Sequence, residues 1–124
     1  EIKLSWEEVV ELHSSPQYLV YMLGFVPGFL YLGGLDERLF IPRLKEPRLK
    51  VASGSIGLAS NQTGVYPMEI SGGWQIIGRT PIDLLALSKT VKIEMGDLVK
   101  FYPITKEEFE SNKYEPKRIL IHGN

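Results

Sequence analysis

Cysteine is absent from this chain of 124 residues, and histidine occurs only twice, as His13 and His122. The lack of cysteine excludes disulfide bonds, thiolate zinc sites, iron-sulfur clusters and a cysteine nucleophile. Two histidines are a small supply of ligands for metal chemistry. A chain of this length can bury a sizeable hydrophobic core, so we expect one domain, residues 1–124, that folds without metal or cross-links.

Excess charge and long apolar runs are also lacking. The formal net charge is −1 and the isoelectric point is about 6.2, so no strong positive field attracts nucleic acid or an anionic membrane. No run approaches the roughly 18 apolar residues of a membrane span. The first residues, EIKLSWEE, lack the features of a secretory signal. We therefore expect a cytoplasmic protein whose partners include neither nucleic acid nor membrane.

Charged side chains are scarce in two segments. Between residues 51 and 82 only Glu69 and Arg79 are charged, although charged residues make up 23% of the chain. Residues 12–35 contain none and include the turn-rich sequence GFVPGFLYLGGL. Short apolar runs, glycines and neutral polar groups alternate in the first segment, which is too ordered for a linker. We expect these two segments to build the recognition surface.

The local patterns predict many short strands and few helices. Ser5-Trp6-Glu7-Glu8 fits a capping box that starts a helix ending near Ser14. We expect turns at residues 24–35, a solvated loop at 38–50, a short helix at 80–87 and a second capping box at 105–108. Strands are predicted at 18–23, 56–59, 63–68, 75–79, 91–93, 98–104 and 118–121. This pattern favours a mainly β fold, an antiparallel barrel or sandwich.

Catalytic motifs are incomplete. The nucleophile elbow Gly-x-Ser-x-Gly around Ser55 fails because residue 53 is Ser53, and no glycine is followed by the lysine of a P-loop. His13 has two interpretations, a general base or a packed core histidine on the apolar face of the first helix. The sequence therefore predicts no self-sufficient catalytic set.

Neutral polar and aromatic residues of the charge-poor segment are candidates for a binding groove. Gln62, Thr63, Tyr66 and Trp74 combine hydrogen-bonding groups with aromatic faces, as small-molecule and peptide sites do. The alternative is that Tyr66 and Trp74 are core aromatics. Arg79 offers a planar donor to a carboxylate or phosphate, or it pairs structurally with a backbone carbonyl.

Two further sets of residues have alternative interpretations. Phe25, Phe29 and Tyr31 form either an exposed strip that binds a protein or a cover over one end of a barrel. Arg43 and Arg48 belong to a basic segment that is a solvated edge, unless the two arginines cluster and form an anion site. No residue is predicted to bind a metal.

Four motifs together resemble one known family. They are GFVPGFLYLGGL (residues 24–35), PRLKEPR (42–48), NQTGVYP (61–67) and SGGWQIIGRTP (71–81), and they occur in the same order as in the family of the 5-oxoprolinase B subunit. This family is also called allophanate hydrolase subunit one and includes the Kip-type inhibitor of a sporulation histidine kinase.

The resemblance implies a cyclophilin-like closed antiparallel β-barrel with a few short helices, forming the C-terminal domain of a longer protein. It implies a partner, the C subunit, similar to the Kip antagonist, in an ATP-dependent complex that opens 5-oxoproline to glutamate. This domain alone is expected to bind no cofactor. The alternative function is inhibition of a sensor histidine kinase. The candidate groove residues all stand within the matched motifs: Phe25, Phe29, Tyr31, Gln62, Thr63, Tyr66, Trp74 and Arg79.

Overall fold

The computed structural model describes residues 4–23, 29–87 and 93–111. A 3-10 helix, Glu37–Leu39, accompanies the regular elements. In chain order these are α1 Trp6–Ser14, β1 Tyr18–Leu23, β2 Leu30–Gly33, β3 Arg48–Val51, β4 Ser55–Ala59, β5 Gln62–Val65, β6 Ile70–Gly72, β7 Gln75–Arg79, α2 Leu84–Leu87, β8 Leu98–Val99 and α3 Lys106–Ser111.

Two antiparallel sheets form the fold. The larger sheet has six strands in the order β7-β4-β5-β2-β1-β8, and the smaller sheet pairs β3 with β6. The predicted mainly antiparallel β architecture with a few short helices is therefore confirmed. In the described part of the chain β7 and β8 are the two edges of the larger sheet and do not pair, so the sheet is not closed there.

Helix α1 packs on one face of the larger sheet. Its capping box forms as predicted: Ser5 N donates to the Glu8 carboxylate at 2.9 Å, and Glu8 N donates to Ser5 Oγ at 3.1 Å. The helix buries Val9 and His13 against the sheet. The resulting core contains buried side chains of α1, the larger sheet, residues 35–39 and α2: Val9, Tyr18, Val20, Leu30, Leu32, Leu35, Leu39, Leu58, Val65 and Leu84.

The smaller sheet covers the opposite face. Because side chains alternate along a strand, Leu30 and Leu32 point to the α1 side while Tyr31 points to the other. On that side Val51 of β3 and Ile70 of β6 pack with aromatic residues of the larger sheet's loops. The larger sheet therefore separates two cores.

Local sequence signals misplaced several elements. Residues 30–33 form strand β2 where turns were predicted, because β1 and β5 pair with it on both sides and override the turn preference of its glycine. The chain turns at Gly34, the residue after the end of β2, where φ is 110°. Residues 38–50, predicted as a loop, contain the end of a 3-10 helix and the start of β3.

Other predicted elements are longer than the ones observed. Where a strand was predicted at 63–68, the structure has Gln62–Val65. Where one was predicted at 98–104, only Leu98–Val99 forms a strand. The predicted helix at 80–87 begins later, at Leu84, because the Thr80 side chain accepts a hydrogen bond from Ile82 N in a local turn. The predicted strand 118–121 and most of 91–93 lie outside the described residues. Within the described ranges, no helix is long and apolar enough to cross a membrane.

Candidate functional site

An aromatic cluster lies between the two sheets. The ring centroid of Phe29 is 5.1 Å from that of Tyr66 and 5.5 Å from that of Trp74, and Tyr31 lies 5.9 Å from Trp74. Phe29 and Tyr66 are 1% exposed and Trp74 is 5% exposed. These three rings are core residues and are not the walls of an open groove. The predicted exposed strip is thus not formed at Phe29, and its Phe25 lies outside the described residues.

Glycines make room for this cluster. A Cβ atom at Gly64 would lie 2.9 Å from the Trp74 ring, and one at Gly57 would lie 2.9 Å from Trp74 Cβ. A Cβ atom at Gly72 would overlap the Tyr66 hydroxyl. Gly57, Gly64 and Gly72 therefore have a packing role, because they let large rings approach the backbone closely.

The basic segment at residues 42–48 is anchored beside the aromatic cluster. Gln75 Nε2 donates to the Pro42 carbonyl at 3.2 Å, and Leu44 N donates to the Gly73 carbonyl at 2.7 Å. These two hydrogen bonds attach the segment to the SGGW turn and to the strand that follows it. The arginines of this segment consequently have a fixed backbone support.

The structure places Arg43 and Arg48 beside the aromatic cluster. The Arg43 guanidinium carbon lies 6.0 Å from the centroid of the Trp74 ring, and Arg48 pairs in register with Gly72, which abuts the Tyr66 hydroxyl. Burial raises the pKa of Tyr66, while a hydrogen bond from the Trp74 backbone and the positive charges of Arg43 and Arg48 act in the opposite direction. Both arginines therefore border the aromatic cluster, Arg43 at Trp74 and Arg48 at the Gly72 edge.

Neither of these arginines has an internal counter-ion among the residues that the structure describes. The ion pairs found there join Arg38 to Asp36 at 2.9 Å and Lys50 to Glu69 at 4.0 Å. Hydrogen bonds from Arg38 lower the pKa of Asp36 to about 2, as expected where an arginine is neutralised within the chain. Arg43 and Arg48 are exposed and keep their positive charge available to a ligand.

Neutral polar groups lie next to Tyr31, on the same face of the larger sheet. The Tyr21 hydroxyl donates to Gln62 Oε1, and its ring lies over Gly33, where a Cβ atom would be 3.3 Å from the ring. Burial raises the pKa of Tyr31, the Arg43 charge opposes this, and Tyr21 adds to it. Tyr31 and Arg43 approach the same Trp74 ring, and the Tyr21 ring lies over Gly33 on the same face of β2.

These neighbouring side chains form a surface that we call the arginine-tyrosine surface. It consists of Arg43, Arg48, Tyr31, Tyr21 and Gln62. Sequence reasoning missed Tyr21, although the alternation of YLVYML places it on the face opposite Tyr18 and Val20. That alternation is the signal that could have identified it.

Thr63 lies on the other face of the sheet, away from this surface. It is fully buried, and its hydroxyl contacts His13 Nε2 at 2.9 Å and donates to the Gly57 carbonyl at 2.9 Å. The His13 ring packs against Phe101 in a tilted arrangement, with centroids 4.6 Å apart. Burial lowers the pKa of His13 to about 4. His13 is therefore the packed core histidine of the two interpretations, and Thr63 is its partner.

Arg79 is also separate from the aromatic cluster. It lies at the far end of β7, four residues from Gln75, which corresponds to about 13 Å along a strand. Its Nε donates to the Ser53 carbonyl at 2.9 Å, and its guanidinium carbon lies 5.6 Å from the Phe109 ring centroid. It borders a cavity of about 240 Å³ that Pro81 also lines. Of its two interpretations, the structure shows the pairing with a backbone carbonyl.

A metal site is not evident in the described ranges, which contain no group of three or more histidine, cysteine, aspartate or glutamate side chains placed to hold an ion. The chemistry that the arginine-tyrosine surface offers is hydrogen bonding and charge, from two guanidinium groups, two phenols and an amide.

The sequence and the fold identify the family. Residues 1–93 match the family described as carboxyltransferase domain, subdomain C and D, and this antiparallel β domain belongs to it. Within this class the similarity is to the B subunit of 5-oxoprolinase, which confirms the resemblance seen in the motifs. The Bacillus subtilis protein of that name is 44% identical over 115 residues, and that of Escherichia coli O157:H7 is 52% identical over 102 residues.

The matches cover most of this chain but only part of each relative. They include 91% of the chain and 48% of the Bacillus subtilis protein, and 81% of the chain and 47% of the Escherichia coli protein. A solved structure, that of the conserved uncharacterized protein PH0987 from Pyrococcus horikoshii, is 53% identical with a TM-score of 0.79. It is matched over 86% of this chain and 50% of its own. The chain thus spans about half the length of the curated relatives it matches.

Proposed function

We propose that this chain is the C-terminal domain of the B subunit of an ATP-dependent 5-oxoprolinase, which opens 5-oxoproline to glutamate together with a partner, the C subunit. The observation that carries this proposal is the identity of 44% and 52% to two bacterial proteins named as the B subunit of 5-oxoprolinase. The family match over residues 1–93 includes every described strand except β8, so it extends over both faces of the larger sheet.

We assign ligand binding, and not bond breaking, to this domain. The one histidine of its described core bonds Thr63 through Nε2 and has a pKa of about 4, so it is neutral and already bonded near pH 7. The groups of the arginine-tyrosine surface bind and orient a ligand but include no nucleophile paired with a base. We therefore propose that the domain completes a site shared with its partner.

The reaction would break one amide bond. Water adds across the lactam of 5-oxoproline to give glutamate, and ATP is hydrolysed to ADP and phosphate in the same cycle. A planar amide is stabilised by resonance, which is why its opening benefits from coupling to ATP. The described residues supply neither the nucleotide site nor the attacking group in this proposal, and those belong to the rest of the assembly.

The test is to purify the complete protein from its host with whatever binds to it, and to measure phosphate release from ATP with and without 5-oxoproline. We expect release to depend on 5-oxoproline and to match the glutamate formed. Phosphate release that is the same with and without 5-oxoproline would contradict the proposal. Addition of the preparation to a sensor histidine kinase tests the alternative function, which loses support because Phe29 of the predicted aromatic strip is buried.

A further inference from the structure

The arginine-tyrosine surface is chemically asymmetric. Arg43 and Arg48 make one end cationic, whereas Tyr21 and Gln62 make the other end neutral but rich in hydrogen-bonding groups. Tyr31 lies between the ends, because its ring centroid is 5.9 Å from that of Trp74, which Arg43 also approaches, and because the Tyr21 ring lies over Gly33, two residues further along β2. A ligand that fits this row has a negative group at one end and a neutral polar group at the other.

The cationic end is suited to a carboxylate. The Arg43 guanidinium carbon lies 6.0 Å from the Trp74 ring centroid, and the side chain is exposed, so its fork of donors is accessible to a ligand. Arg48 adds a second guanidinium group, since it pairs in register with Gly72 beside the Tyr66 hydroxyl. Because no carboxylate within the described ranges neutralises either group, the fork is free to bind a planar anion in two-point fashion.

The neutral end is suited to an amide. The Gln62 side chain accepts a hydrogen bond from Tyr21 through Oε1, which fixes its orientation and leaves its NH2 group as a donor. An amide group of a ligand complements this, because its carbonyl accepts from the NH2 group. The half-buried ring of Tyr31 between the two ends offers a flat face for a small ring.

We propose that the arginine-tyrosine surface binds 5-oxoproline, with its carboxylate on Arg43 and Arg48 and its lactam carbonyl on Gln62. This assignment rests on the proposed function and extends it to named residues. A lactam ring that carries one carboxylate has the two groups in the order that the surface requires. Arg43, Arg48 and Gln62 are substrate-binding residues in this account, and the groups that break the amide bond lie elsewhere.

The experiment compares two substitutions, Arg43→Gln and Arg48→Gln, with the matched control Lys45→Gln in the complete complex. Lys45 is exposed in the same segment, so its substitution removes the same charge from the loop outside the surface. We expect each arginine substitution to raise the KM for 5-oxoproline roughly 10- to 100-fold, because a charge-assisted hydrogen bond is lost. The KM for ATP, kcat and the thermal midpoint should stay near the unsubstituted values, and the Lys45→Gln variant should match the unsubstituted complex throughout.

Each other outcome overturns the inference in a recognisable way. If the complex uses 5-oxoproline but both arginine variants retain its KM, the surface does not bind the substrate, while the proposed function stands. A rise in the KM for ATP instead would assign the arginines to a phosphate group. If Lys45→Gln raises the KM for 5-oxoproline equally, the effect comes from the net positive charge of the segment and not from binding by the two arginines. A complex that does not respond to 5-oxoproline at all overturns both proposals.

Discussion

His13 Nε2 and Thr63 Oγ1 lie 2.9 Å apart in the core, and the Thr63 hydroxyl also donates to the Gly57 carbonyl at 2.9 Å. A hydroxyl group has one hydrogen, so Thr63 must accept from the imidazole. Nε2 of His13 therefore carries the proton in the neutral ring. The contact joins α1 to the centre of the larger sheet, and it explains why a polar pair is tolerated in an otherwise apolar core.

This pair makes the stability of the domain depend on pH. Burial lowers the pKa of His13 from 6.5 to about 4, so below pH 6.5 the unfolded chain binds a proton that the folded chain does not. Stability is fully present above pH 6.5, falls as the pH drops from 6.5 to about 4, and the loss amounts to about 3 kcal/mol. Urea denaturation at several pH values should show a smaller loss in the His13→Gln variant. Identical pH dependence in the two proteins would contradict the role of His13.

Removal of the Thr63 hydroxyl should destabilise the fold. The Thr63→Val variant keeps the shape but leaves His13 Nε2 without its acceptor and removes the hydrogen bond to the Gly57 carbonyl, which we expect to cost about 1–3 kcal/mol in the free energy of unfolding. Thr63→Ser keeps the hydroxyl and is the matched control, with a loss of about 1 kcal/mol from the missing methyl group. Chemical denaturation measures both. If valine is tolerated as well as serine, the hydrogen bonds contribute little.

Gly64 should not accept a side chain. A Cβ atom there would lie 2.7 Å from the Leu30 carbonyl and 2.9 Å from the Trp74 ring, so Gly64→Ala forces the strands or the indole to move. We expect a cost of about 1–3 kcal/mol and a changed tryptophan fluorescence. Gly78→Ala is the control, because nothing lies within 4 Å of the added atom, and its effect should stay within about 0.5 kcal/mol. Equal stability of the two variants would refute the close packing.

Arg79 should affect stability slightly and substrate binding not at all. Its contacts are the Ser53 carbonyl and the Phe109 ring, both outside the arginine-tyrosine surface. Arg79→Gln should therefore lower the free energy of unfolding by less than about 1 kcal/mol and leave the KM for 5-oxoproline unchanged in the complete complex. A KM increase as large as that expected for Arg43→Gln would place Arg79 in the binding surface after all.

The parts of the fold that sequence predicted well are those fixed by local interactions. The capping box of Ser5 and Glu8 is one, and that of Thr105 and Glu108 is another, with hydrogen bonds of 2.8 and 3.1 Å. These depend on residues three positions apart. Strand β2 was missed because its pairing with β1 and β5 depends on distant residues, which local turn signals cannot report.

The sequence indicated several residues of the candidate site, but it did not indicate how they are arranged in space. Tyr66 and Trp74 belong to one cluster, yet burial makes them core rings, and a single sequence does not distinguish a groove wall from a core aromatic. Thr63 and Gln62 are neighbours in the chain, but alternation along β5 sends their side chains to opposite faces. The approach of Arg43 to Trp74 is set by the path of residues 42–47, which the sequence pattern does not specify.

We propose that this chain belongs to a protein needed for coupling ATP consumption to the opening of 5-oxoproline. The most direct measurement is an omission experiment, in which glutamate formation and phosphate release are followed in the reconstituted complex with and without the complete protein. We expect both products to appear in equal amounts only when the protein is present. Equal rates of glutamate formation in its absence would contradict the account.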